Sequence, residues 1–271
     1  MSATRAPQAQ IDAANAYEQL FVPCLLQEWA PRVADAAKVR RGQHVLDVAC
    51  GTGLLTREVA SRVAPDGSVA GLDLNPGMLA VAERLAPAIE WHEGAAESLP
   101  FPDESFDAVV SQFGLMFFGD RRRAIREMLR VLRAGGRMAV AVWGALADAP
   151  AYALEERLIR RIAGDDAAVP LQAPFALGDA RALAALFEDA GVSSVTVASH
   201  RGSARFPSIE VMVGADLRGW LPLMGIVLPE ETIRAVLSAA DRELARFVTP
   251  DGTVVSDMPA IIVTGRRPET R

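Results

Sequence analysis

The stretch HVLDVACGTGLLT, residues 44–56, constrains the fold of this chain more than any other segment. An apolar run ends at an aspartate, breaks into Ala-Cys-Gly-Thr-Gly and resumes with a helical pattern. Gly51 and Gly53 remove side chains where the backbone must come close to a ligand. The helix that follows presents free N–H groups and the positive end of its dipole at the same place. This order predicts a nucleotide-like ligand at the carboxyl end of the first strand.

Strand-like and helix-like runs alternate from residue 43 to residue 143. The predicted strands are Gln43–Ala49, Ser68–Leu74, Ile89–Glu93, Phe106–Phe113 and Met138–Trp143. The predicted helices are Leu54–Val63, one that begins at Asn75-Pro76, and Arg121–Leu132. Strand–helix alternation with apolar, Val-rich strands favours a parallel sheet covered by helices on both faces. We therefore predict an α/β, Rossmann-like, doubly wound fold.

The second half of the chain follows a different pattern. Its predicted elements are a helix Pro150–Ile162, a loop-like segment to Leu177, a helix from the Asp179 cap to Ala190, a strand Val192–Arg205, helical stretches Ile209–Leu217 and Glu230–Phe247, and a strand Pro259–Arg266. We predict one domain with three parts: residues 1–40 form a helical cover, 41–145 a cofactor-binding core, and 146–271 complete the sheet and add helices that form a lid over the acceptor.

Composition excludes several classes of protein. The formal net charge is −6, and a phosphate-backbone partner usually requires a basic face. The sequence has no uninterrupted run of eighteen apolar residues, and its N-terminus lacks the apolar centre of a secretory signal. Two cysteines do not make a disulfide framework. We expect a cytoplasmic protein that binds neither nucleic acid nor a membrane, with a homodimer as one option for its assembly.

Asp73 is the second element of the predicted site. It ends the second predicted strand, in VAGLDLN, roughly twenty residues beyond the glycine turn, the offset at which an acidic residue meets a ribose. The alternative role is a cap for the helix that begins near Pro76, since aspartate and asparagine both cap helices well. Asn75 is better placed for that cap. We therefore predict that Asp73 accepts hydrogen bonds from ribose hydroxyls.

The spacing of the glycines separates two kinds of nucleotide ligand. Dinucleotide sites carry G-x-G-x-x-G, and here the third glycine is missing because Leu54, Leu55 and Thr56 follow the turn. The phosphate loop G-x-x-x-x-G-K-[ST] is absent as well. Asp47, just before the turn, would repel a diphosphate and suits the amino-acid end of a sulfonium ligand. An NAD-dependent oxidoreductase remains a less favoured alternative.

Three blocks carry a resemblance to a known family: VLDVACGTGLLT, GLDLNPGMLAVAE, and the long run from Ala95 to Trp143 that begins AAESLPFPDESFDAVV. Over about residues 40 to 145 the chain resembles the class I S-adenosylmethionine-dependent methyltransferases. The third block is similar to the ubiquinone/menaquinone-biosynthesis C-methyltransferases and their small-molecule relatives. The resemblance implies a seven-stranded, mostly parallel sheet and S-adenosylmethionine as cofactor, with S-adenosylhomocysteine as product and no metal.

The resemblance also implies site residues. Gly51 and Gly53 would lie under the methionine part, Asp73 on the ribose, Leu74 on the adenine, and Gln112 facing the methionyl group. The predicted cofactor site consists of Asp47, Ala49, Gly51, Gly53, Thr56, Asp73, Leu74, Ala95, Ala96 and Gln112. Many relatives carry Asp or Asn at position 95, where a side chain reads the adenine amino group. Alanine cannot do so; either Glu97 substitutes or the contact is lost.

Methyl transfer from a sulfonium is an in-line displacement that depends on positioning more than on a protein nucleophile. A general base helps when the acceptor is a hydroxyl, and the weak candidates are Tyr17, His92 and His200. The predicted acceptor pocket is aromatic: Tyr17, Phe21, Phe113, Phe117, Trp143 and Trp220. Core packing is the alternative role for each of these side chains. The quinone enzymes have Arg-Asn after the leucine of the segment that reads FGLMFF here. The absence of this pair argues against a quinone acceptor.

These observations predict an enzyme that methylates a small, partly apolar metabolite. The acceptor and the atom that receives the methyl group stay open. The alternative from another class is a binding or pericyclase-like protein that keeps the cofactor fold without methylating.

Overall fold

The structure is a computed structural model that describes residues 6–269 of the 271. Residues 1–5 of the predicted N-terminal cover, and residues 270–271, lie outside the described part. The strands are β1 (His44–Val48), β2 (Ser68–Asp73), β3 (Glu90–Glu93), β4 (Phe106–Gln112), β5 (Leu132–Trp143), β6 (Ser193–His200), β7 (Ser203–Phe206), β8 (Val254–Asp257) and β9 (Ala260–Arg266).

The α-helices are α1 (Gln8–Ala16), α2 (Trp29–Ala36), α3 (Leu54–Val63), α4 (Pro76–Leu85), α5 (Arg121–Val131), α6 (Pro150–Ala163), α7 (Asp165–Ala168), α8 (Ala180–Asp189), α9 (Ile209–Ala215), α10 (Leu221–Leu223) and α11 (Glu230–Glu243). Two segments are π-helical, Tyr17–Leu26 and Asp216–Trp220, and short 3-10 turns cover Leu115–Phe117, Leu146–Asp148, Val169–Phe175 and Ala245–Phe247. Within residues 6–269, no helix combines the length and the apolar character that a bilayer crossing requires.

Seven strands form one sheet in the order β3-β2-β1-β4-β5-β9-β6. The pairs β1–β2, β2–β3, β1–β4 and β4–β5 are all parallel. The order reverses between β1 and β4, and ligands of doubly wound sheets bind outside the carboxyl ends of the strands at such a reversal. The predicted fold class is confirmed, and the glycine turn lies at the reversal because it follows β1 directly.

The central strands are buried on both faces. Val45, Leu46 and Val48 of β1 are inaccessible to solvent, as are Val109 and Val110 of β4. A strand covered on both faces reads as a continuous apolar run rather than an alternating one. This is the pattern that the sequence shows, and it explains why these strands were predicted within one or two residues of their ends.

Helix caps fix the start of two helices as predicted. The Asn75 side chain accepts hydrogen bonds from the amides of Gly77 and Met78, at 2.8 and 3.3 Å, and Pro76 occupies the first helical position of α4. Asp179 accepts from Arg181 and Ala182 at the start of α8. Because Asn75 provides the cap of α4, Asp73 is not required for it.

The chain divides into two compact units. The first holds the residues up to Val142, Asp179–Ser199, and those from Ile261 onward, and it contains most of the seven-stranded sheet. The second holds Trp143–Gly178 and His200–Ala260. It consists of inserted helices and an antiparallel two-stranded sheet, β7 with β8. Within the second unit, the Ala151 amide donates to Ser256 Oγ at 3.2 Å, which joins α6 to β8.

Two predictions for the second half are wrong in detail. Val192–Arg205 is not one strand: β6 and β7 lie in different sheets and are separated by residues 201–202. The predicted loop before Leu177 contains α7 and a 3-10 turn. The partner of β7 is β8, which lies about fifty residues later and was not predicted. A β-rich run gives no information about which later segment pairs with it, so the break could not be read from the sequence.

The N-terminal segment has an unusual helical form. α1 continues as a π-helix from Tyr17 to Leu26, with Pro23 inside it. Proline lacks an amide hydrogen and its ring collides with the carbonyl four residues earlier in an α-helix. π-Helical turns inside α-helices often occur at functional sites. Residues 8–36 are therefore mostly helical, with a distorted stretch that contains Pro23, and their role as a cover stays a prediction.

Candidate active site

The turn after β1 contains residues with positive φ angles: Ala49 at 58°, Gly51 at 55° and Gly53 at 84°. A left-handed backbone conformation is unfavourable for residues with a Cβ atom and is easily adopted by glycine. The conformation of the turn therefore favours glycine at positions 51 and 53. The Cys50 amide donates to the Leu72 carbonyl at 3.0 Å and ties the turn to β2. The chain enters α3 directly after Gly53, so α3 begins at the carboxyl end of β1.

Trp91 of β3 gives a second reason for glycine at position 53. A Cβ atom on Gly53 would lie 2.4 Å from the indole ring, and one on Gly71 would lie 2.5 Å from it. The indole therefore packs directly against two glycine backbones, and its Nε1 donates to the Ala86 carbonyl at 3.1 Å. Sequence reasoning assigned Gly53 to the ligand alone. It missed this packing because the residues are distant in the chain.

Asp73 joins the end of β2 to the glycine turn. Its Oδ2 accepts the Gly51 amide at 2.8 Å, and its Oδ1 accepts the Asn75 amide at 2.8 Å. Burial raises the pKa of Asp73, although these amide donors oppose the rise. A carboxylate oxygen can accept more than one hydrogen bond, so both oxygens keep capacity for a ligand. Asp73 thus lies beside the glycine turn with acceptor capacity to spare, and its ribose role stays a prediction.

Asp47 lies below the turn and is 1% exposed. Its Oδ2 accepts the Thr56 hydroxyl at 2.6 Å, whereas its Oδ1 is buried and has no hydrogen-bond partner. Burial raises the pKa of Asp47 to about 7, and the Thr56 hydrogen bond only partly opposes this. Buried acceptors are normally satisfied, so this oxygen has capacity for a donor from a ligand or a water molecule.

Gln112 ends β4 across the sheet reversal from the glycine turn. Its Nε2 donates to the Leu26 carbonyl at 3.2 Å, and its Oε1 is buried without a partner. The next residue, Phe113, has a φ of 56°. Its ring meets the Trp29 ring edge-on, with centroids 5.9 Å apart. Phe113 therefore packs into the core with Trp29, the role that sequence analysis gave as the alternative to the acceptor pocket.

A cavity of about 30 Å³ lies over the turn. It is lined by Tyr17, Leu26, Asp47, Ala49, Cys50, Gly51, Thr52, Leu54, Leu55 and Gln112. Five of these were predicted site residues, and none is a lysine or an arginine. The other five were not predicted, although four of them lie inside the glycine block. Nothing in the sequence indicated that Leu26 belongs to the site, because its hydrogen bond to Gln112 uses the backbone carbonyl and not the side chain.

Tyr17 lies directly against the glycine turn. Its ring carbon Cε1 is 3.9 Å from the position that a Cβ on Gly51 would occupy. Burial raises the pKa of Tyr17 above its ordinary value, and the carboxylates of Asp73, Glu18 and Asp47 raise it further. The hydroxyl therefore stays protonated at neutral pH and can donate a hydrogen bond. The Phe21 ring lies 6.0 Å from the Tyr17 ring, between centroids.

The predicted adenine side follows β2 and β3. Leu74 is 69% exposed, Ala96 is buried and Ala95 is half-buried. The Gly94 amide donates to the Asp73 carbonyl at 3.0 Å, which places this loop beside the end of β2. Glu97 Oε1 accepts the Asp120 amide at 3.2 Å, so this carboxylate already bonds to the start of α5.

The remaining predicted residues are not among those that line the cavity. His92, in β3, meets the Phe101 ring edge-on with centroids 4.9 Å apart, and its Nε2 is 3.7 Å from Glu90, beyond hydrogen-bond distance. Phe117 is 49% exposed. His200, Trp143 and Trp220 belong to the second unit, where Trp220 Nε1 donates to the Pro170 carbonyl at 3.0 Å. Their predicted roles stay predictions.

Comparison with known proteins agrees with this geometry. Residues 46–140 match a family model described as a methyltransferase domain. The chain is 44% identical over 118 residues to the ubiquinone/menaquinone biosynthesis C-methyltransferase of Hahella chejuensis, a match that covers 41% of this chain and 47% of that protein. The chain spans about half the length of the curated relatives it matches.

Two solved structures have a similar fold. The phosphoethanolamine N-methyltransferase 2 of Haemonchus contortus, in complex with phosphomonomethylethanolamine and S-adenosylhomocysteine, aligns with a TM-score of 0.60 at 17% identity, over 97% of this chain and 58% of that one. The [4+2]-cyclase SpnF aligns with a TM-score of 0.53 at 23% identity, over 90% and 82%. The sheet order, the glycine turn and the matched residues agree. Residues 46–140 of this chain are therefore similar in sequence to a methyltransferase domain, and the fold is that of the similar solved structures.

Proposed function

We propose that this chain is an S-adenosylmethionine-dependent methyltransferase that transfers a methyl group to a small, partly apolar metabolite. The observation that carries the proposal is the pair of orphan oxygens at one cavity, Asp47 Oδ1 and Gln112 Oε1. Both are buried acceptors that need a donor. The methionine end of the cofactor carries an ammonium group, which supplies donors and a positive charge at the same point.

The charge of the site supports a cationic ligand over a dinucleotide. The cavity lining includes the Asp47 carboxyl group and no basic side chain, and the Asp73 carboxylate bonds to the adjoining Gly51. A diphosphate in this place would meet two acidic groups and no cation to offset its charge. A nearby cation favours the ionised form of a carboxyl group. An ammonium group next to Asp47 would therefore lower its pKa, and binding and ionisation would support each other.

The residues present fit the rest of the cofactor. Asp73 would hold the ribose hydroxyls with the lone pairs that Gly51 and Asn75 leave free. The exposed side chain of Leu74 and the backbone of Ala95 and Ala96 would hold the adenine. Alanine at position 95 offers no side-chain hydrogen bond to the adenine amino group, and Glu97 is engaged with Asp120. We infer that adenine is recognised by backbone and apolar contacts.

The residues of this chain would position the cofactor and the acceptor and exclude water from the site. When bound, the cofactor supplies a methyl group on a sulfonium: the electron pair of the acceptor forms the new bond while the S–C pair returns to a neutral thioether. Holding two reactants in line can lower a barrier by roughly 7–11 kcal/mol. The Tyr17 hydroxyl stays protonated and can orient an acceptor oxygen or nitrogen as a donor. The acceptor is therefore one that is nucleophilic without a protein base, such as an amine, a phenolate or an enolate.

The binding test compares three ligands on the full chain. Thermal unfolding is measured with S-adenosylmethionine, S-adenosylhomocysteine and NAD, since a ligand at about 100 times its Kd stabilises a protein by about 2.7 kcal/mol. We expect both adenosyl ligands to raise Tm and NAD to leave it unchanged. Stabilisation by NAD alone would refute the reading of the glycine turn.

The activity test uses a panel of phenols, hydroxyquinones and amines. Release of S-adenosylhomocysteine together with a mass gain of one CH2 on the acceptor supports the proposal. Conversion of an acceptor without that release would instead identify a non-methylating enzyme. That second outcome has a precedent in this fold, since the similar structure of SpnF is described as a [4+2]-cyclase.

A further inference from the structure

The start of the N-terminal segment is firmly docked on α4. The backbone of Gln10 approaches Gly77 so closely that a Cβ atom on Gly77 would lie 2.6 Å from it. Arg84 Nη2 donates to Asn15 Oδ1 at 2.7 Å near the other end of α1. Close backbone contact and a charge-assisted hydrogen bond hold α1 in place. The π-helical segment Tyr17–Leu26 begins at the end of this anchor.

The π-helical segment is fastened to the glycine turn by one carboxylate. Glu18 Oε2 accepts the Thr52 hydroxyl at 2.5 Å, and Glu18 Oε1 accepts Arg57 Nη2 at 2.8 Å. Arg57 Nη1 donates to the Thr52 carbonyl at 2.6 Å, which closes the triangle. The side chains of Glu18 and Arg57 are 20% and 27% exposed, so solvent screens this pair less than a surface ion pair.

The far end of the segment is held more weakly. Gln112 Nε2 donates to the Leu26 carbonyl at 3.2 Å, a neutral hydrogen bond near the upper limit of length. Tyr17, directly before the first fastening, lies against Gly51, and both Tyr17 and Leu26 line the cavity. The segment therefore forms part of the wall of the cofactor site.

The cavity behind this wall lies at the methionine end of the proposed site and holds about 30 Å³, room for about two water molecules rather than for an amino-acid group. Asp73 and the predicted adenine contacts do not line it. The glycine turn and β1 are held by the sheet, so the adjustable wall is the π-helical segment. Tyr17 and the residues after it must move before the cofactor can reach the orphan oxygens of Asp47 and Gln112.

We propose that Glu18, Thr52 and Arg57 form a latch that keeps the segment Tyr17–Leu26 closed over the glycine turn in the free protein, and that cofactor entry requires its release. The identity of the entering ligand rests on the proposed function, whereas the latch itself does not. The apparent Kd equals the intrinsic Kd divided by the fraction of molecules that are open, so the latch sets both the rate of cofactor entry and the apparent Kd.

The test measures hydrogen exchange of residues 17–26 in the full, ligand-free chain. The variants are Glu18→Ala and Arg57→Met, which remove either partner of the latch. The matched control is Glu58→Ala, on the same helix as Arg57, which removes an ion pair with Arg62 and touches no residue of the segment. Exchange reports local opening free energy, so loss of the latch is expected to speed it about tenfold. Thermal unfolding of each variant verifies that the fold is kept.

The second measurement is the rate of S-adenosylmethionine binding by stopped flow. Faster exchange and faster binding in both latch variants, with the control unchanged, support the proposal. Unchanged exchange in the latch variants, or an equal acceleration in the Glu58→Ala control, overturns it. If exchange accelerates but S-adenosylmethionine binds to no variant, the latch stands and the proposed function fails. If the cofactor binds to all and exchange is unchanged, the latch alone fails.

Discussion

Asp47 makes the stability of this protein depend on pH near neutrality. Its carboxyl group is buried, one of its oxygens has no partner, and burial raises its pKa to about 7. In the unfolded chain an aspartate titrates near about 3.9. The folded protein therefore holds a proton that the unfolded chain has lost between these two values, and stability falls as the pH rises through this window.

The size of the effect follows from the two pKa values. Each unit of difference corresponds to about 1.4 kcal/mol, so the cost of Asp47 is about 1.5 kcal/mol at pH 5 and about 4 kcal/mol at pH 8. In Asp47→Asn the side chain cannot ionise, and its remaining oxygen still accepts from Thr56. We expect the variant to gain free energy of unfolding relative to the parent, with a gain about 2.5 kcal/mol larger at pH 8 than at pH 5.

Urea denaturation of both proteins at pH 5, 6, 7 and 8 measures this difference. The control is Asp107→Asn, because burial alone would raise the pKa of Asp107 but the His44 amide and Arg133 outweigh it and lower the pKa. Asp107 stays ionised throughout this range, so its variant is expected to lose a constant amount of stability. A difference between parent and Asp47→Asn that does not change from pH 5 to pH 8 would refute the reasoning.

Three further predictions concern single residues. Gly53→Ala is expected to lower the free energy of unfolding by about 2–4 kcal/mol, from left-handed strain and overlap with Trp91, and chemical denaturation measures it; a loss under half of this would contradict the contact. Asp73→Ala is expected to weaken S-adenosylmethionine binding by about 2–4 kcal/mol in titration calorimetry, and unchanged affinity would remove Asp73 from the ribose. Burial and Asp216 raise the pKa of Glu155 in the second unit, so the folded state resists its ionisation and stability falls as the pH rises above about 4.3. Glu155→Gln is expected to flatten this decline in Tm, whereas parallel curves would count against it.

The local pattern determined most of the first half of the chain, although β5 begins at Leu132 and not at the predicted Met138. α3 spans Leu54–Val63, the range that the spacing predicts, and Asn75 caps α4 as its side chain suggests. Apolar runs, caps and glycine turns act between residues a few positions apart, so they can be read without the fold. For the same reason the glycine turn predicted a nucleotide-like ligand at the carboxyl end of the first strand.

Contacts between distant segments could not be predicted in this way. The packing of Trp91 on Gly53, the separation of β6 from β7, and the Glu18–Arg57 pair each join elements whose meeting depends on the complete sheet. A one-dimensional pattern states which residues prefer burial or a turn. It does not state which partner each one finds.

The sequence by itself determined the class of this protein: a parallel sheet, a glycine turn and two acidic residues at the ends of neighbouring strands. Only the tertiary structure determined the burial, the hydrogen bonds and the neighbours of the site residues. It buried Asp47 with one oxygen unpaired, and it brought Tyr17 and Glu18 onto the turn. The physical reason is that burial and charge pairing are properties of the space around a side chain, and that space is enclosed only when segments far apart in the chain pack together.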